Sequence, residues 1–440
     1  MITEVFVQEF KGFSRERLEL RPLTILIGEN NSGKSSFLAA IRLLAQTVQS
    51  PDPSVPILLN GPFGEYGSFR DVVHGNHRGR PFRLGVTVPQ YRRDVERAAN
   101  DASVTFEAEF KYRVQRREVL VREAKYMTGS KPILSVGRTK DLERNYINGV
   151  GGRTFTASGR TESLGMLRMA NFLPTTSPIA PSTPTELSDA IRKHQDEIRR
   201  SYLAVRRALF AVDVLGAMRQ PPQRTYLHSG SVGRRVGLAG ENLGGLIALA
   251  DSARRSRHNY MAGVREWLRS SGVAADVNLV WLSDRDFEIV VTHPVSGETE
   301  NLADVGRGTS QVLPVLLGGY RLEPGDTFLV EEPEIHLHPR AQAALGDYFL
   351  DLYQRGVQAV VETHSEYLIL RLQQHVAAGQ IDPGNVIFYY VSSTSSGKQV
   401  RRIPLDENAV FDQVVPGGFF PQRREESLKL VRARGESARE

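Results

Sequence analysis

Residues 18–27 (LELRPLTILI) are an apolar, strand-prone run that passes straight into GENNSGKSS at 28–36. Phe37, Leu38, Ile41, Leu44 and Val48 then recur near 3.6-residue spacing, so 33–48 reads as a helix. Strand, glycine loop and helix in that order constrain this chain more than any other feature. The loop's backbone N–H groups must converge on one point at the positive end of a helix, which is a seat for an anion. Gly28, Gly33, Lys34 and Ser35 fit G-x-x-x-x-G-K-[ST], with Asn30, Asn31, Ser32 and Ser36 completing the loop. In such a loop the backbone surrounds the β-phosphate of a nucleotide. Lys34 neutralises charge on the β- and γ-phosphates, and Ser35 offers its hydroxyl to Mg²⁺. A phosphate loop alone does not name a reaction, because many chemistries use one.

Three later segments narrow the reading. At 327–339, TFLVEEPEIHLHP is a buried strand ending in two carboxylates. Cleaving a phosphoanhydride requires an acidic group near the metal and another to orient water. Adjacent residues at a strand end point to opposite sides, so Glu331 is expected at the metal and Glu332 as the base. A rival makes Glu334, His336 and His338 a metal cluster, although a third spaced ligand is missing. At 361–366, VETHSE ends a further strand, and His364 is placed to hydrogen-bond the γ-phosphate. At 304–313, DVGRGTSQVL puts Gly306 and Gly308 ahead of Ser310 at the start of an apolar helix. This is a second phosphate-seeking helix N-terminus. With one loop already holding the nucleotide, it points to a site completed by another subunit. The plain alternative is an ordinary helix capped by Thr309 or Ser310.

Elsewhere, residues 2–10 read as a strand that turns at Lys11-Gly12-Phe13 into the 18–27 strand. Residues 103–125 and 132–156 alternate as a β-meander, and Pro174, Pro178, Pro181 and Pro184 mark a boundary. A helical pattern runs from Thr185 to about Arg219, with Ile198, Tyr202, Val205, Leu209 and Val212 as its seam. It reads equally as a core-packed helix or as an arm for dimer or partner contacts. Helices are expected over about 243–271, 309–320, 340–355 and 364–378. Strands are expected over about 277–292, 327–331, 357–362, 386–391 and 399–404.

The 440 residues carry a formal net charge of +6 and no cysteine, which removes disulfides and thiolate chemistry. Of the 56 basic residues 47 are arginine, from a GC-rich genome or from a surface for nucleic acid or an acidic partner. No stretch is long and apolar enough for a membrane helix, and the first residues lack a signal peptide's apolar core, so no membrane contact and a cytoplasmic location are expected.

The order of these motifs resembles the ABC-type ATPases of the OLD and SMC-like group, nearly end to end. FKGF at 10–13 is similar to that group's opening strand turn, and GENNSGKSS to its Walker A loop. VGRGTSQVLPVL at 305–316 resembles its signature helix, FLVEEPEIHLHP at 328–339 its Walker B and D-loop, and ETHSEYLI at 362–369 its histidine switch. GPFGEYGSFRDVVHG at 61–75 and PGGFFPQ at 416–422 resemble a bacterial subgroup with a short C-terminal extension. The resemblance implies an α/β fold, an ABC-type head with mixed sheet plus an inserted β-meander and helical arm. It divides the chain into an N-terminal lobe (1–90), an insertion (91–240), a C-terminal lobe (241–405) and an extension (406–440).

It further implies an ATPase using ATP and Mg²⁺, with Glu332 and His364 catalytic and Ser35 and Glu331 on the metal side. Two chains, or a higher oligomer, would pair head to tail. ATP on Lys34 and Ser35 of one would then meet Gly306, Gly308 and Ser310 of the other, with His338 near the interface. Glu331 stands where aspartate is more usual, which implies action through a water. No Q-loop glutamine stands out, and Asp71 only lies in the right region. The 76 residues after His364 show no acidic cluster of the Toprim nuclease that OLD nucleases carry. A separate effector, nuclease or toxin, as in bacterial antiphage systems, is therefore the expected partner. The alternatives are a DNA-repair or chromosome-maintenance ATPase that clamps DNA itself, and an ATP-binding scaffold with negligible turnover.

Overall fold

Leu23–Gly28 is buried at every position, because it lies inside a six-stranded sheet covered on both faces. The strand order is Val212–Leu215, Thr327–Glu331, Gln358–Glu362, Leu23–Gly28, Val386–Thr394, Gly397–Ile403. All neighbours run parallel except the last pair, an antiparallel hairpin. A parallel strand covered on both sides has no solvent face, so these segments read as unbroken apolar runs. Leu26, Leu329, Val360 and Val391 face one core with Phe37, Leu38 and Ile41 of the Lys34–Val48 helix. Ile25, Ile27, Phe328, Val330 and Val361 face a second core with Val312, Leu316, Leu345 and Leu368. The structure, a computed structural model, describes residues 1–90, 103–138, 145–155, 168–175, 185–228, 230, 233, 235–252, 260–394, 397–406, 408–411 and 429.

An antiparallel sheet of eight strands closes over the first core. Its order is Arg153–Thr154, Asn145–Val150, Lys131–Arg138, Glu118–Thr128, Ser103–Arg113, Phe82–Pro89, Glu4–Phe10, Phe13–Glu19. The fold is thus mixed α/β, with the expected meander present as antiparallel sheet. Phe82–Pro89 and Ser103–Arg113, on either side of residue 90, are paired neighbours in that sheet. The 18–27 strand is corrected. Phe13–Glu19 pairs with Glu4–Phe10, and the chain then crosses at Arg21 and Pro22 into the parallel sheet. Proline has no N–H to continue the first ladder.

The helix expected to reach Arg219 is Thr185–Phe210. Val212 belongs to a strand, paired with Thr327. Ile198, Val205 and Leu209 are buried against the antiparallel sheet and the Lys34–Val48 helix. The segment is therefore a core-packed helix and not a free arm. Among the described residues no helix is long and apolar enough to cross a membrane. PGGFFPQ at 416–422, most of the 406–440 extension, and Pro178, Pro181 and Pro184 lie outside the described residues.

Candidate nucleotide site

The central strand delivers the phosphate loop to the carboxyl ends of the parallel strands, where open α/β sheets bind ligands. Gly28, Asn31 and Gly33 have φ of 150°, 62° and 110°. At Gly28 a side chain is impossible on two counts, since a Cβ would also lie 2.1 Å from Val391 O on the neighbouring strand. Asparagine is the non-glycine residue most tolerant of the left-handed region, which suits position 31. Lys34 is buried, and its Nζ donates to Gly28 O at 2.9 Å and Glu29 O at 2.8 Å. Burial pulls its pKa down, and the carboxylates led by Glu362 oppose that.

The loop opens on a cleft of about 820 Å³, a size typical of small-molecule sites. Asn30, Asn31, Gly33 through Ser36, Glu332, Glu362 and Lys398 line it. Ser32 is buried beneath the loop. Lys398 comes from the Gly397–Ile403 strand, and its Nζ donates to Asn31 O at 2.9 Å.

The carboxylates divide by environment. Glu331 ends its strand beneath the Lys34–Val48 helix, with Oε1 2.6 Å from Arg42 Nη2, an ion pair without hydrogen-bond alignment. Glu331 is not among the cleft walls. Glu332 is, and it has a φ of 44° with its N–H donating to Glu362 O at 2.7 Å. Arg219, which sequence reasoning did not single out, holds this strand end. Its Nη2 donates to Glu331 O at 2.8 Å and Glu332 O at 3.0 Å, and burial lowers its pKa to about 10.

Glu362 was also missed as a site residue. It ends the strand between Thr327–Glu331 and Leu23–Gly28, and Ser35 Oγ donates to its Oε1 at 3.1 Å. Lys34 Nζ lies 3.8 Å from the same oxygen, while Oε2 is buried with no hydrogen-bond partner. Burial and the nearby Glu331 raise its pKa to about 7. Its one sequence signal was a carboxylate at the end of an apolar strand, two residues before His364. A buried, orphaned carboxylate oxygen beside the Ser35 hydroxyl is a hard-oxygen set that fits Mg²⁺. Among the described residues no three acidic, histidine or cysteine side chains converge as a metal cage, so the Glu334, His336 and His338 cluster does not form. Mg²⁺ in any case commonly relies on one or two carboxylates plus the nucleotide's phosphates.

Glu334 instead accepts from the His364 backbone N–H at 2.6 Å, and burial raises its pKa. This fixes the turn that carries His364, whose exposed imidazole is held below its usual pKa by desolvation and the Lys34 charge. Gly306, Gly308 and Ser310 do not reach the cleft walls of their own chain. Gly306 is the N-cap of the Arg307–Tyr320 helix, and Thr309 and Ser310 lie buried inside its first turn, so neither is the cap. A Cβ on Gly308 would meet His336 O at 2.8 Å. His338 caps the Pro339–Gln354 helix by accepting from Arg340 N. Asp71 closes a capping box with Ser68, and it too lies outside the cleft walls.

Two family models match this sequence. One, described as "AAA ATPase domain", matches residues 1–110, and the other, "AAA domain, putative AbiEii toxin, Type IV TA system", matches residues 185–371. Both describe AAA-type domains. Each covers less than half of the chain. The first match contains the phosphate loop, and the second contains the Glu331–Glu332 pair and His364, so the two halves of the site fall in ATPase-type sequence. Nucleotide binding follows from that domain type. No sequence among curated proteins matches this chain. Solved structures similar to it include an Smc head bound to the C-winged helix domain of ScpA, with 11% identity over 92% of this chain and 98% of that one and a TM-score of 0.46. An SMC head domain from Thermotoga maritima has 10% identity over 91% and 98%, with a TM-score of 0.41. An Smc head domain with an extended coiled coil, bound to the C-terminal domain of ScpA derived from Pyrococcus furiosus, has 10% identity over 100% and 99%, with a TM-score of 0.44.

Proposed function

We propose that the chain is an ATP-hydrolysing switch subunit that acts as a homodimer and gates a separate effector, a nuclease or toxin, in bacterial antiphage defence. The observation that carries the reading is the single cleft that gathers Lys34, Ser35, Glu332 and Glu362. In the proposed reaction the loop N–H groups and Lys34 hold the β- and γ-phosphates, and Ser35, with Glu331 further back, would hold Mg²⁺. The ion's contribution is to neutralise charge on the phosphate oxygens. Glu332 accepts a proton from water as the water oxygen bonds to the γ-phosphorus. The bond to the ADP oxygen breaks, and phosphate leaves. His364, on a turn anchored by Glu334, hydrogen-bonds the γ-phosphate and registers its loss.

The dimer is supported by the second glycine-led helix start. Gly306, Gly308 and Ser310 stand apart from their own chain's cleft, and Gly306 has open space around it. In the dimer they cover the γ-phosphate held by the other copy. The coupling to an effector is supported by the toxin setting in the description of the family matched over 185–371. The experiment is turnover by the purified chain. Glu332→Gln is expected to lower the rate at least about 100-fold, the scale of a lost general base, with ATP binding retained. Undiminished turnover would reject the assignment. Salt-dependent DNA binding by the isolated chain would favour the DNA-clamping alternative.

A further inference from the structure

Glu331 and Glu362 are partners in register on adjacent parallel strands. Both carboxyl groups reach the side of the sheet that bears the Lys34–Val48 helix, since Glu331 meets Arg42 there and Glu362 meets Ser35. Beyond that they differ. Glu331 is neutralised by the guanidinium, and its Oε2 accepts from the Ala217 N–H at 3.4 Å. Among the described residues Glu362 is not ion-paired to a guanidinium, and its nearest positive charge is Lys34 Nζ, 3.8 Å from Oε1 and not on Oε2. Its side chain is only 6% exposed, it faces the cleft, and its Oε2 has no hydrogen-bond partner. A buried carboxylate oxygen without a donor is costly to maintain unless something supplies positive charge.

We propose that Glu362 is a direct carboxylate ligand of the divalent cation that accompanies the nucleotide, next to Ser35, whereas Glu331 stays paired with Arg42 and reaches that cation only through water. This rests on the nucleotide-site reading above. The spacing supports it. Ser35 Oγ and Glu362 Oε1 are 3.1 Å apart, close enough for one small cation to be held by both. The sheet order supports it too, because the Glu362 strand lies directly beside the phosphate-loop strand and the Glu331 strand is one further away.

The test uses the full chain, Mn²⁺ as the metal and a non-hydrolysable ATP analogue. Mn²⁺ affinity is read by electron paramagnetic resonance, and analogue affinity in EDTA by calorimetry. Glu362→Gln is expected to weaken Mn²⁺ binding to the analogue complex at least tenfold and to leave analogue affinity in EDTA within about threefold. Glu331→Gln should weaken Mn²⁺ binding less than Glu362→Gln does. Glu362→Ala, which leaves space instead of a different group, should lose Mn²⁺ affinity as well and serves if the glutamine variant folds poorly. Wild-type Mn²⁺ affinity in a Glu362 variant that still binds the analogue would overturn the assignment, as would a larger loss in Glu331→Gln. Failure of the wild-type chain to bind the analogue at all would overturn the nucleotide reading, and this assignment with it.

Discussion

Glu362 is a carboxylate whose surroundings favour its protonated form when the cleft holds no cation. Burial and the Glu331 charge raise its pKa from 4.5 to about 7. A pKa raised by folding contributes stability that is fully present below the unfolded value and is lost as pH climbs through the folded one. In metal-free, nucleotide-free protein, Glu362 therefore weakens the fold progressively between about pH 4.5 and pH 7. Glu362→Gln should flatten that part of a melting-temperature-against-pH curve and melt above wild type at pH 8. A wild-type curve retained by the variant would show that Glu362 is not the group that titrates. At this scale Gly28, Lys34 and Ser35 were legible in the sequence from their spacing, and Glu332 from its place at the end of an apolar strand. Glu362, Lys398 and Arg42 were not. Each owes its position to a chain pairing hundreds of residues away or to a helix face, and no local spacing encodes either.

Elements set which of these residues can meet. The sequence runs 23–28, 327–331, 358–362, but in space the last of these lies between the other two. That inversion puts Glu362 against Ser35 and leaves Glu331 to Arg42. Apolar runs identify buried parallel strands without ordering them. The Thr185–Phe210 helix shows a related ambiguity. Val212 continues its heptad-like spacing by coincidence, but the strand ladder to Thr327 claims it. The loop that follows returns Arg219 to the carboxylate strand, where it also reaches Gln311 O of the Arg307–Tyr320 helix at 3.4 Å. Arg219 thus ties that helix to the strand end carrying Glu331 and Glu332. Replacing it with glutamine leaves buried carbonyls without a charged donor, and should cost about 1.5–3 kcal/mol. Urea unfolding at neutral pH measures this. A loss under about 0.5 kcal/mol, the ordinary scatter of surface substitutions, would mean that the clamp is incidental.

For the whole molecule, the parallel sheet carries the glycine loop, Glu332 and Glu362 at one end, while the glycine-led helix start lies outside that cleft. The strands, helices and meander were readable from runs and alternation, and the mixed α/β class was implied by the resemblance. That the meander joins the N-terminal hairpin in one eight-stranded sheet was not, because edge pairing between Glu4–Phe10 and Phe82–Pro89 leaves no periodic trace. The account's central claim is that ATP is hydrolysed in a site shared between two copies. Lys34→Ala removes the proposed phosphate lysine, and Gly306→Arg, at an exposed position with open space around it, fills the proposed covering helix start. Neither variant alone should hydrolyse ATP. A mixture should recover activity, because half of the sites in each mixed dimer join an intact loop to an intact covering helix. Phosphate release by the mixture at a substantial fraction of the wild-type rate is the predicted result. A mixture as inactive as its components, alongside an active wild-type chain and demonstrated mixed dimers, would contradict the shared site.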